Sequence, residues 1–187
     1  MPDAQRPALI CFDDSPGAQT AIAETGRLFP AQSVLVLHVW RPLEATAAYR
    51  YSAAGVTGAL DEQMRELDAA GQRAAEEIAE RGAELARKAG LDAEARAVAV
   101  EDDVPAAVSA VADSVDAFVV VMGSRGLGAI QAIALGGFSH GVLHHSRRPV
   151  LVVPSRTTRS ATQSTESSQP STWAAHDAVA RSVRSGR

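Results

Sequence analysis

A chain of 187 residues, 46% hydrophobic and 21% charged, fits one domain with a real core and is too apolar to be wholly disordered. Its net charge of −4 argues against a nucleic-acid partner, because neutralising phosphates requires a basic face. The single cysteine, Cys11, excludes an internal disulfide and a cysteine-rich zinc site, and no apolar run reaches the ~20 residues that span a bilayer.

Residues 1–6 are a polar lead without the apolar core of a signal peptide, which predicts a soluble, cytoplasmic chain. Residues 8–13 form a short apolar run, read as a buried strand. Ser15 and Pro16 then suit an N-cap and a first helical position, and Pro30 blocks continuation beyond about Phe29. Residues 34–40 are a second strand, and residues 41–58, with Tyr49 and Tyr51, form an irregular connection long enough to be a functional loop or lid. The longest helix follows: Leu60, Met64, Leu67, Ala74, Ile78, Leu85 and Ala89 give one apolar stripe, Glu and Arg occupy the other face, and Gly90 is placed as its C-terminal cap.

Residues 93–100 alternate as a third strand. Asp103 and Pro105 open another helix running to about Ser114, and residues 117–122 are a fourth strand buried on both faces. A glycine-rich connection leads to a short helix over 138–145 and a fifth strand over 150–153. Strands alternating with helices predict an α/β fold, a parallel sheet with helices on both faces. Residues 155–187, rich in Ser, Thr and Arg, lack residues that anchor a core and read as a disordered tail, the stretch 173–184 being a frayed or docking helix.

An open parallel sheet binds ligands beyond the carboxyl ends of its strands, where the strand order reverses. The segments leaving strands one and four are therefore the places to inspect. After strand one stand Asp13, Asp14 and Ser15; after strand four stand Met122, Gly123, Ser124, Arg125, Gly126, Leu127 and Gly128, with Gly136 and Gly137 just before the short helix. Glycines allow a close backbone approach, and amides at a helix start make an anion site. Neither a Walker-type loop nor a G-x-G-x-x-G after strand one is present, and Lys88, the only lysine, lies on the long helix. His140 and His144, four apart, permit a metal pair, but without a third ligand at matching spacing they read as surface histidines; Cys11 reads as an inert core thiol and His38 as a packed strand residue.

Gly123, Gly126 and Gly136 match the spacing G-x2-G-x9-G-[ST] of the ATP-binding universal stress proteins. Asp13-x-Ser15 after strand one, His38-Val39 near the end of strand two and the run 148–153 also resemble that family. The resemblance covers residues 7–154. It implies an open five-stranded parallel sheet of order 3-2-1-4-5, adenine-nucleotide alpha-hydrolase-like, and ATP as ligand, with or without Mg2+. By position, Asp13 and Ser15 would approach the ribose, and Val39 and Met122 the adenine. Gly123, Arg125, Gly126, Gly128, Gly136, Gly137, Phe138 and Ser139 would form the phosphate loop. One departure stands at Gly137, where the motif has Ser or Thr. A hydrogen bond to a charged group is worth about 1.5–3 kcal/mol, so its loss weakens binding by roughly ten- to a hundredfold unless the Ser139 hydroxyl compensates.

The implied function is a nucleotide-dependent regulatory module in stress response, homodimeric through Val150–Val153, whose ATP alters a surface seen by a signalling partner. No general base is poised on the phosphates, so at most slow ATP hydrolysis is expected. The alternative is a dimeric protein–protein interaction module that binds no nucleotide. An adenylate-forming enzyme would need a different glycine-rich loop directly after strand one, where this chain has Asp13, Asp14, Ser15 and Pro16.

Overall fold

The computed structural model describes residues 6–43, 59–124 and 137–154. Five strands, β1 (Ala8–Cys11), β2 (Ser33–Trp40), β3 (Asp92–Ala99), β4 (Val119–Gly123) and β5 (Val150–Val153), alternate with helices α1 (Pro16–Leu28), α2 (Ala59–Lys88), α3 (Val104–Ser114) and α4 (Gly137–His145). All pairings are parallel and the order is β3-β2-β1-β4-β5, so the order reverses between β1 and β4. The central register sets Ala8 against both Val34 and Val119.

β1 is buried throughout because both of its faces are covered. Ile10 and Phe12 join Val34, Val36, Val119 and Val121 under α1 and α2. Leu9 and Cys11 join Leu35, Leu37, Val120 and Met122 under α3 and α4, through Val108, Ala112 and Val142. Continuous apolar runs in β1, β2 and β4 follow from this two-sided burial.

Local chemistry sets the helix ends. The Ser15 hydroxyl accepts from the Ala18 amide at 3.2 Å with Pro16 in the first turn, and the Asp103 carboxylate accepts from the Ala106 amide at 3.0 Å with Pro105 in the same role. α2 stops where Gly90 takes φ +83°, a conformation that a side chain resists.

The buried face of α2 is not quite the stripe that large residues suggest. Ala75, Ala79, Ala83 and Ala86 are buried, with Ile78, Leu85 and Ala89 packed beside them, while Leu67 is half exposed and Ala74 exposed. There are two physical reasons. A Cβ on Gly82 would lie 2.6 Å from Phe12 and 2.7 Å from Val36, so the helix rides too close to the sheet for large side chains. At 30 residues α2 is also about 45 Å long, whereas the eight-residue β2 is about 26 Å, so the helix outruns the sheet that would cover its first turns.

The end of the sheet where β1 and β4 begin is tied by Arg148. Its guanidinium donates to Asp113 at 2.8 Å, to Asp116 at 2.6 Å and to the Ala117 carbonyl at 3.2 Å, and Arg6 pairs with Asp116 at 2.9 Å from the other side. The Arg148 hydrogen bond, reinforced by Arg6, holds the Asp116 carboxyl below its ordinary pKa. A carboxylate with a lowered folded pKa stabilises the fold above its unfolded pKa and loses that contribution as pH falls through the folded value. The Tm difference between wild type and Arg148→Ala is therefore expected to be largest near neutral pH and to narrow as pH drops below the usual carboxylate range. Added salt should reduce it, because Asp116 is open to solvent, although Arg148 is only partly exposed. Thermal denaturation across pH checks this.

Candidate nucleotide site

The carboxyl ends of β1, β2 and β4 and the amino ends of α1, α3 and α4 enclose a cleft of about 200 Å³ at the reversal of strand order. Six residues singled out from sequence line it: Asp13, Ser15, Val39, Met122, Gly123 and Phe138. Ser139 lies immediately behind, buried. Gly137 opens α4, and a Cβ built on it would meet nothing within 4 Å. Arg125, Gly126, Gly128 and Gly136 lie outside the described residues, as do Tyr49 and Tyr51.

Each lining residue has a local reason for its place. Asp13 follows β1, and its Oδ1 accepts the Ser15 amide at 3.1 Å, which turns the chain from strand into helix. Ser15 is buried with its hydroxyl committed to capping α1, so its contribution to the wall is structural as well as polar. Met122 is fully buried on the α3–α4 side of β4, and Val39 stands on the same face of β2.

Gly123 is held for a steric reason that spacing alone does not disclose. A Cβ there would fall 2.7 Å from the carbonyl carbon of Gly17, 2.8 Å from its oxygen and 3.2 Å from the Ala18 nitrogen. The end of β4 thus rests on the first turn of α1 backbone to backbone. Ser139 completes this corner, its Oγ donating to the Gly123 carbonyl at 3.3 Å and so tying the first turn of α4 to the end of β4. In this geometry the Ser139 hydroxyl points to a protein carbonyl and not into the cleft mouth.

Sequence reasoning missed several wall residues. Cys11, Phe12, Ala18, Leu37, His38, Val104 and Val108 also line the cleft. The i,i+4 spacing of Val104 and Val108 marks the inner face of α3, but nothing in the sequence says that its amino end borders this cleft. His38 was read as a packed strand residue, and its Nδ1 lies 2.8 Å from the Phe12 carbonyl. Since that oxygen only accepts, Nδ1 carries the proton, and together with the Phe12 amide donating to the Leu37 carbonyl at 2.8 Å it fixes the direction in which β1 delivers Asp13. Cys11 is a buried thiol, as expected, that also faces the cleft. Burial, with the Asp13 charge adding to it, pushes its pKa up to about 12, so it is a thiol and not a thiolate at neutral pH.

The sequence was read as holding nothing of the G-x-S-x-G nucleophile-elbow form, yet the pentad Gly137-Phe138-Ser139-His140-Gly141 has those letters. The structure does not build that elbow. Ser139 sits inside the first turn of α4 with its hydroxyl on the Gly123 carbonyl, and the nearest histidine in sequence, His140, pairs with His144 instead.

The arrangement can accept an anion beside an apolar ring. The first amides of a helix have no intrahelical acceptor, and the α4 start carries no side chain over Gly137 to cover them. Leu37, Val39, Val108 and Met122 supply apolar lining to the same cleft, and Asp13 a carboxylate. Among the described residues, no group of three or more His, Cys, Asp or Glu gathers to hold a metal, and no helix is long and apolar enough to cross a membrane.

Comparison with known proteins bears on family and fold. The model of the universal stress protein family matches residues 5–154. Among solved structures, the universal stress protein UspA from Lactobacillus plantarum superposes with a TM-score of 0.58 at 20% identity, covering 81% of this chain and 99% of that one. A universal stress protein in complex with cAMP gives 0.52 at 22% identity, covering 82% and 99%. The universal stress protein from Archaeoglobus fulgidus in complex with dAMP gives 0.50 at 20% identity, covering 78% and 95%. At these identities the likeness is one of fold. No curated protein sequence matches the chain.

Proposed function

The chain belongs to the universal stress protein family, and from that premise we propose that residues 7–154 form an adenine-nucleotide-binding regulatory module whose preferred ligand is ATP, with or without Mg2+. The observation that carries this reading is a cleft at the reversal of strand order that joins apolar lining to the amino end of α4, where, among the described residues, a Cβ on Gly137 would meet nothing within 4 Å. Two relatives of the same fold hold cAMP and dAMP, so the family accommodates an adenine and a phosphate. On this chain the base would lie against Val39 and Met122, the ribose would reach Asp13, and the phosphates would meet the amides of Gly137, Phe138 and Ser139. By the motif, Arg125, Gly126, Gly128 and Gly136 would complete the phosphate loop.

At about 200 Å³ the cleft is smaller than the ~300 Å³ at which small-molecule pockets usually begin. On this reading the base and sugar would occupy it, and the phosphates of a triphosphate would lie outside it, past Phe138. Of the side chains lining the cleft, Cys11 is a protonated thiol, and the His38 Nδ1 proton is held by the Phe12 carbonyl. We read the role as binding and signalling, with Val150–Val153, the outermost strand of the sheet, as the homodimer edge, and with a cytoplasmic location.

The test is to denature the purified full-length chain, chromatograph what is released, and titrate refilled or apo protein with ATP by calorimetry. Released adenine nucleotide or a saturable one-to-one titration supports the proposal. Absence of both at millimolar ATP overturns it and leaves a dimeric interaction module without nucleotide.

A further inference from the structure

Two histidines on α4 converge in a way that helical spacing alone does not require. The Nε2 atoms of His140 and His144 are 3.3 Å apart, with ring centroids 4.4 Å apart and the rings tilted by 52°. Both side chains are exposed. Residues four apart share a helix face, but many rotamer pairs would leave the ring tips much farther apart.

That separation is the bite of a tetrahedral metal ion. Two zinc–imidazole bonds of about 2.0–2.1 Å at a tetrahedral angle set their nitrogens roughly 3.3–3.4 Å apart. With each proton on Nδ1, both Nε2 lone pairs are free to point at one shared position. His144 also stands in the last turn of α4, where the negative end of the helix dipole favours a cation. Two other described histidines are engaged elsewhere: His145 contacts the Gly141 carbonyl at 2.9 Å through Nδ1 and lies 3.8 Å from Asp103 through Nε2, and His38 is tied to Phe12.

We propose that His140 and His144 form a bidentate surface site for a borderline divalent transition-metal cation, of the zinc or copper class. Imidazole suits these ions and not Mg2+ or Ca2+, whose preferred donors are oxygens. Among the described residues no third protein ligand joins the pair, which leaves the remaining positions open to water or a further donor. Bound metal would staple one full turn of α4, the helix whose first turn borders the cleft. The site does not depend on nucleotide binding.

The experiment is calorimetric titration of the full-length chain with ZnCl2 in a non-coordinating buffer. One saturable site is expected, lost in His140→Gln and in His144→Gln and retained in His145→Gln. Unchanged binding in the double variant His140→Gln/His144→Gln, or no saturable site in wild type, overturns the proposal; in the latter case the 3.3 Å contact is only a hydrogen bond between a neutral pair. A second measurement needs no variant. Substoichiometric Cu2+ should broaden the imidazole NMR resonances of His140 and His144 before those of His38, His145 and His176, and uniform broadening would count against the site.

Discussion

Gly123→Ala is expected to destabilise the protein by about 2 kcal/mol or more, the upper part of the usual overpacking range. The added methyl would sit within 3 Å of the Gly17 carbonyl group. Backbone cannot rotate out of the way as a flexible side chain can, so either β4 or the first turn of α1 must move. At roughly 2–4 °C per kcal/mol for a chain of this size, Tm should fall by several degrees. Because Ser139 hangs on the Gly123 carbonyl, the displacement also reaches the start of α4, and nucleotide affinity should fall with it. Gly137→Ala is the control, since its Cβ enters open space. Thermal denaturation of both variants decides. Equal and small effects would mean that β4 and α1 are not in the close contact described.

Gly137→Ser is expected to raise ATP affinity about tenfold without loss of stability. Among the described residues a Cβ here meets nothing within 4 Å, and a hydroxyl at the start of α4 adds a donor to a charged oxygen, worth about 1.5–3 kcal/mol before ordering costs. Gly137→Ala separates the hydroxyl from mere bulk and should leave affinity near wild type. Calorimetry of the three proteins is the measurement. A serine variant that binds no better than alanine would show that residue 137 does not face the phosphates. The structure sharpens this prediction, because the Ser139 hydroxyl, the candidate for compensation, already donates to Gly123.

Much of the fold is readable in one dimension because its signals are local. Ser15 with Pro16, Asp103 with Pro105, and Gly90 each satisfy a helix end within a few residues, and the structure begins and ends those helices where such chemistry puts them. The stripe on α2 is less readable. Large residues such as Leu67 advertise a buried face, yet burial belongs to the small ones, Ala75, Ala79 and Ala83, because Gly82 lets the helix come down on Phe12 and Val36. Size complementarity is a property of two surfaces, and only one of them is written in the helix.

The site divides in the same way. Asp13, Met122 and the glycine spacing stand out from the sequence because they follow strands at the expected crevice, and the family resemblance named the order of strands that structure then displays. Val104, Val108 and Leu37 did not stand out, since an apolar residue on an amphipathic helix or strand looks alike whether it faces core or ligand.

The chain by itself determined its alternation of strand and helix, the helix caps and the two turns where a ligand would be sought, since periodicity and capping act over a few residues. Tertiary structure alone decided that Gly123 must be glycine for the sake of Gly17, that Ser139 serves a carbonyl, and that His140 and His144 meet at 3.3 Å. These depend on the close approach of β4 to α1 and α4 and on the rotamers chosen at an exposed helix end. Such distances of a few ångströms arise only when segments far apart in the chain are packed together, or when one side-chain conformer is selected from several.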